Sequence, residues 1–184
     1  MKVAVVAGNP KPASRTLDAA TRVASAFTGE EPDVVVDVIT LGPGLLGWGD
    51  AGVKAAVESV QGVDLVVFAS PTYKATYTGV LKLFLDQFAT AEGLAGVVAV
   101  PLMLGAGPGH AMAPDLLLKP VLVELGASCP TPGLYLIDST YTESPAITDY
   151  ARRWSGIVRG AVLGAQTVLG AQTVLGAQTV LGAQ

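Results

Sequence analysis

Five short apolar runs constrain this chain more than any other feature: KVAVVAG at 2–8, DVVVDVI at 33–39, DLVVFAS at 64–70, GVVAVPLML at 96–104 and PGLYLID at 132–138. Several are apolar at consecutive positions instead of alternating, the pattern of strands covered by helices on both sheet faces. The segments between and after them, 16–27, 51–60, 79–88, 111–125 and 146–163, have helical character. Strand and helix thus alternate five times, which predicts right-handed crossovers, a parallel sheet and a doubly wound α/β sandwich. Two strand orders suit five such strands. The order 2-1-3-4-5 puts a ligand crevice at the carboxyl ends of the first and third strands, where the order reverses. A larger dinucleotide-binding half-fold calls for G-x-G-x-x-G after the first strand, and Gly8-Asn9-Pro10 does not supply it.

At 184 residues the chain suits one domain with a real core. With 51% hydrophobic and 14% charged residues it is neither disordered nor a polyelectrolyte. Eleven basic residues face 15 acidic ones, and the largest basic cluster is the Arg152-Arg153 pair, which argues against nucleic acid as a partner. A mean hydropathy of +0.52 raises the question of a membrane. The longest apolar runs, such as 94–104, fall well short of the roughly 20 residues that a span needs. The apolar stretch at the N-terminus is too short for a signal peptide. Cys129 is the single cysteine, which excludes an internal disulfide and suits a reducing compartment. The expectation is a soluble, cytoplasmic protein with no membrane partner.

From Leu163 the chain reads LGAQTVLGAQTVLGAQTVLGAQ, three copies of a six-residue unit and four residues more. Six residues advance a helix by about 240°, so the Leu/Val pairs spiral and make no single apolar stripe. Hexapeptide β-helices need more units than this. The chain therefore divides into a domain at 1–162 and a low-complexity tail at 163–184, an extension beyond the last helix.

Three loops at the carboxyl ends of strands carry the chemistry. The first, GNPKPASRT at 8–16, leads from a strand into a helix whose first N–H groups have no intrahelical acceptor. Ser14 and Thr16 add hydroxyls, Lys11 or Arg15 add charge, and Gly8 permits close approach of a ligand. No Walker pattern occurs, so a triphosphate–magnesium site is not expected; the competing reading is an ordinary N-cap at Ser14 or Thr16. The second loop, within FASPTYKATYTGVLKLFLD at 68–86, offers Tyr73 and Tyr77 to a planar ligand, or packs them under the next helix. The third brings Gly105, Gly107 and Gly109, with His110, the only histidine, at a helix start. Lacking G-x-S-x-G and a second histidine, the chain offers neither a nucleophilic triad nor a zinc site. Its chemistry has to come from something bound.

Together these loops resemble the NAD(P)H-dependent FMN reductases of the flavodoxin-like superfamily, in the branch that supplies reduced flavin to sulfonate monooxygenases. GNPKPASRT is similar to that family's G-S-P-R-x-x-S-x-[ST] phosphate loop, SPTYKATYTGVLKLFLD to its S-P-x-Y-[KS]-x-x-[YF]-[ST]-G-x-[LF]-K segment, and HAMAPDLLLKPVLVELGA to its fourth helix. The likeness runs from residue 1 to about 162 and leaves the repeat uncovered. It implies a flavodoxin-like five-stranded parallel sheet with helices on both faces. It also implies that Ser14 and Thr16, with the amides of Asn9 and Lys11, hold the FMN phosphate beside Gly8. Pro71, Thr72 and Tyr73 would line one edge of the isoalloxazine, with Gly105, Ala106 and Gly107 approaching from the fourth strand. Members of the family work as homodimers or homotetramers, which would turn Tyr77 and the helix after it toward a partner chain. Asn9 stands where the family has Ser, Lys11 where it has Arg, and Leu116 where sulfonate-type relatives often have Tyr.

The implied reaction passes a hydride from NADPH or NADH to FMN, with reduced flavin going to a flavin-dependent monooxygenase. Such chemistry requires orientation and no side-chain acid or base, so no catalytic residue is named. Arg15 is a candidate for a nicotinamide phosphate or an ordinary solvated charge. Two alternatives stay open: a reductase of quinones, azo dyes or metal ions that keeps its FMN bound, and a flavodoxin-like electron carrier.

Overall fold

A computed structural model describes residues 1–181 of the chain, with side chains described as far as Thr167. Strands β1 (Val3–Ala7), β2 (Val34–Asp37), β3 (Leu65–Pro71), β4 (Val98–Gly105) and β5 (Leu134–Ile137) form one sheet in the order β2-β1-β3-β4-β5. Every pairing is parallel. The 2-1-3-4-5 order is therefore the one adopted, and β1 lies between β2 and β3.

The continuous apolar runs have the reason expected of them. Along β1, β3 and β4 successive side chains enter opposite cores. Val3, Val5, Leu65, Val67, Val98 and Val100 pack against helix α1 (Arg15–Thr28) and helix α5 (Ala146–Leu181). Ala4, Val6, Val66, Phe68 and Ala99 pack against α2 (Ala51–Gln61), α3 (Gly79–Leu85) and α4 (Lys119–Glu124). Each of the first three helices starts at a side chain that caps it. Ser14 Oγ accepts from Leu17 N, Asp50 Oδ1 from Val53 N, and Thr78 Oγ1 from Leu81 N.

Several segments depart from the expected elements. After β2 the chain takes tight 3₁₀ turns over Val38–Leu46, bent at Gly42 (φ 62) and followed by α2. The fourth helix, expected over 111–125, opens as a π-helical turn at Pro114–Leu118, where Lys119 N donates to Pro114 O. Pro120 explains the register: it has no N–H to return to Leu116 O, so an α-helical bond is missing there. The last helix does not stop at residue 163; α5 continues without a break through Leu181. Residues 182–184 of the repeat lie outside the described residues. Among the described residues, no helix is long and apolar enough to cross a membrane.

Tyr150 ties α5 to the loop before β5. Its hydroxyl donates to Pro132 O at 2.6 Å and accepts from Thr131 Oγ1 at 2.7 Å, while its ring meets Phe27 edge-on. Burial pushes this phenol up to about 12. A raised folded-state value means that the fold favours the protonated form. Its contribution is therefore complete below the unfolded phenol's pKa of about 10 and is lost as pH rises through the folded value. Urea unfolding at a series of pH values is expected to show stability falling between about pH 10 and 12. Part of that fall, on the order of 2 kcal/mol, should disappear in Tyr150→Phe. Tyr141, whose burial and bond to Asp18 also raise it to about 12, accounts for a further share in the same window.

Candidate functional site

The carboxyl ends of β1 and β3 lie side by side, Ala7 in register with Ala69, and the loops that leave them diverge to opposite faces. A cavity of about 280 Å³ opens between these loops. Asn9, Lys11, Ala13, Ser14, Arg15 and Thr16 line it from the first loop. Pro71 and Tyr73 line it from the second, with Leu104 from β4 and Asp138 from the end of β5.

Asn9 organises the first loop. Its Oδ1 accepts from Lys11 N at 2.9 Å, and its Nδ2 donates to Thr16 Oγ1 at 2.9 Å. The loop is thereby joined to the first turn of α1. Asp37, the last residue of β2, holds the other side: Oδ2 accepts from Ala13 N at 2.8 Å. Ala13 has φ 48, a conformation that costs an alanine on the order of 1 kcal/mol. Strain kept in place by a side chain from a neighbouring strand fixes the direction in which α1 begins. Among the described residues, the N–H groups of Asn9, Arg15 and Thr16 donate to no protein acceptor. Those of Arg15 and Thr16 head a helix whose dipole favours an anion.

Of the two loop amides expected to serve a phosphate, that of Lys11 is already taken by Asn9, while that of Asn9 is free. Ser14 Oγ accepts from Leu17 N and Thr16 Oγ1 accepts from Asn9, but each hydroxyl keeps its own hydrogen to donate. Gly8 sits below the cavity in another role. Its N–H donates to Ala69 O at 2.8 Å and its carbonyl accepts from Thr78 Oγ1. A Cβ there would stand 2.2 Å from Leu81 Cβ. Glycine at this position lets α3 approach the end of β1.

The second loop is a tight turn in which Tyr73 and Thr76 exchange backbone bonds, with Lys74 (φ 51) and Ala75 (φ 71) at its centre. It holds Tyr73 exposed at the cavity rim, whereas Tyr77 packs against the core on the α2–α3 face. Between Pro71 and Tyr73 the Thr72 side chain turns inward, and its Oγ1 is buried without a hydrogen-bond partner. The third loop stands further off. Gly105 closes β4, where a Cβ would meet the Tyr135 hydroxyl oxygen at 1.9 Å; that hydroxyl donates to Gly107 O at 2.8 Å. Ala106 is exposed beyond it. His110 lines a separate apolar cavity of about 310 Å³ with Ala75, Met112, Leu116 and Leu117. Cys129 is remote from the crevice lining, and burial pushes its thiol up to about 11, which keeps it protonated near neutral pH.

Three contributors were not named from the sequence. Asp138 is the polar residue that ends the fifth run, so the rule that ligands gather at carboxyl ends of strands points to it. Asp37 lies inside the second run, 33–39, and only the structure shows that the strand ends there. Tyr135 has no local signal, because its role depends on the neighbouring strand.

Residues 1–142 match the family model described as NADPH-dependent FMN reductase. The FMN reductase (NADPH) of Escherichia coli strain K12 is 34% identical over 100 residues, 54% of this chain and 49% of that protein. An NADPH azoreductase of Bacillus sp. strain OY1-2 is 32% identical over 110 residues, 59% of this chain and 62% of that protein. The crystal structure of an NADH:FMN oxidoreductase, EMOB in its apo form, superposes with a TM-score of 0.74 at 29% identity, covering 89% of each chain. In these sequence alignments the chain spans about half the length of the curated relatives it matches.

Proposed function

Since the chain belongs to the NADPH-dependent FMN reductase family, we propose that it reduces FMN at the expense of NADPH or NADH and passes reduced flavin to a flavin-dependent monooxygenase. The observation that carries this reading is the crevice between β1 and β3. Helix-start amides of Arg15 and Thr16 stand there without protein acceptors, while a second, aromatic wall faces them. Such a cradle suits a phosphate at one end and a planar group at the other. Ser14 and Thr16 hydroxyls donate to the phosphate, and Lys11 and Arg15 supply positive charge. Pro71 and Tyr73 support the ring, while the Thr72 side chain between them is buried away from the cavity lining. FMN, when bound, supplies the two-electron chemistry. The protein's part is to orient both rings and to keep water from the face where they meet.

Residues 1–162 form the reductase domain in this proposal, and 163–184 an appended tail. Among the α5 side chains described, Val162 is the last in the core at 5% exposed, and Leu163 is 64% exposed, which supports the division. A homodimer or homotetramer is the proposed assembly, with the exposed Met112 and Leu116 as candidates for contact between copies.

Purified protein should be assayed for NADPH and NADH oxidation with and without added FMN, with visible spectra taken before and after gel filtration. A colourless protein whose rate depends on added FMN supports the proposal. A yellow protein that keeps its flavin and needs an azo dye or quinone supports the tight-flavin alternative, which the azoreductase relative favours. Flavin binding without nicotinamide oxidation would make the chain an electron carrier.

A further inference from the structure

We propose that Asp138 is an internal competitor for the FMN phosphate: it engages Arg15 while the crevice is free, yields it when FMN enters, and so keeps the flavin exchangeable. This rests on the reading that the crevice takes FMN.

Arg15 is the first residue of α1 and Asp138 the first after β5, yet they meet across the mouth of the cavity that both line. Arg15 Nη1 donates to Asp138 O at 3.1 Å, and Nη2 lies 3.6 Å from Asp138 Oδ2. A carboxylate on the wall of an anion crevice opposes the ligand it borders. Its presence therefore calls for a reason. Asp138 is anchored, because its own N–H donates to Gly105 O at 2.9 Å at the end of β4. Arg15 is held loosely: its side chain is 63% exposed, and its contact with the carboxylate is longer than a hydrogen bond. Exposed pairs of this kind are weak. A phosphate offers the guanidinium fork two oxygens at once, so Arg15 exchanges partners when one arrives. Asp138 stays where it was, now unpaired beside the phosphate. The unfavourable contact lowers affinity for FMN in particular, since riboflavin brings no charge to the same place. A reductase that hands its flavin on gains a release step in this way; one that retains its flavin would gain nothing.

The test compares FMN and riboflavin on wild type, Asp138→Asn, Arg15→Gln and the double variant. Dissociation constants come from flavin fluorescence and FMN release rates from stopped flow. Asp138→Asn is expected to tighten FMN by about threefold to fivefold, the scale of an exposed ion pair. It should slow FMN release to match and leave riboflavin unchanged. In the Arg15→Gln background the gain should shrink, because the two residues act through each other. Asp138→Ser serves as a second variant, with circular dichroism to show that each is folded. Weaker FMN binding in the folded variants would overturn the proposal and make Asp138 a positioning residue for Arg15. Equal tightening of riboflavin would overturn it as well. Wild-type protein that binds FMN no better than riboflavin would instead overturn the phosphate reading of the crevice.

Discussion

Gly8→Ala is expected to unfold at markedly lower urea than wild type, with a loss of about 3 kcal/mol, at the upper end for an overpacked core. The new methyl carbon would lie 2.2 Å from Leu81 Cβ and 2.7 Å from Leu81 Cα. Backbone at that distance cannot step aside as a flexible side-chain tip can. Relief requires α3 to move off β1, which breaks the bond from Thr78 Oγ1 to Gly8 O and leaves a buried carbonyl unpaired. Urea melts of the two proteins decide the matter. An unchanged midpoint would mean that Gly8 serves the ligand alone. Because the β1 and β3 loops meet only while α3 is seated, FMN affinity should fall along with stability.

Asn9→Ala should separate binding from folding. Both bonds of the side chain lie within the loop, to Lys11 N and Thr16 Oγ1, and water can replace the first of them at the surface. The urea midpoint should therefore move little, by less than about 1 kcal/mol. FMN affinity should fall by about tenfold, since the loop is no longer held against the helix start where the Arg15 and Thr16 amides stand free. Riboflavin binding should change less, because the lost contacts serve the phosphate. Fluorescence titration with both flavins reads this directly. A fall of equal size for both would place Asn9 at the ring instead of the phosphate.

These expectations differ in how far the sequence anticipates them. That Asn9, Ser14 and Thr16 belong to an anion loop follows from strand, small residues and helix start in succession. That Asn9 uses its side chain to join Lys11 and Thr16, taking one of the proposed phosphate amides out of service, does not follow. It depends on how the loop closes, and Asp37, 24 residues beyond Ala13, takes part in that closure. In the sequence Gly8 suggests room for a ligand, whereas the space beside it is filled by Leu81 from a helix that begins 71 residues later. Tyr73 and Tyr77 look alike in the chain, but the Tyr73–Thr76 turn sends one to the rim and the other to the core. The π-helical opening of the fourth helix comes from Pro120, a local signal that the apolar pattern around it overrides in a reading by periodicity.

Apolar continuity in several of the five runs, alternating with helical segments, was enough to predict a parallel sheet covered on both faces. Those are local properties, set by hydrophobic burial and by backbone hydrogen bonding within a few residues. Which polar atoms are left free in the crevice was decided by packing across the sheet. Ala13 is held by Asp37, Gly107 by Tyr135 and Arg15 by Asp138, each pair brought together from distant segments. A hydrogen-bonding group belongs to a ligand only when no neighbour in space has already taken it, and neighbours in space are what the tertiary fold supplies.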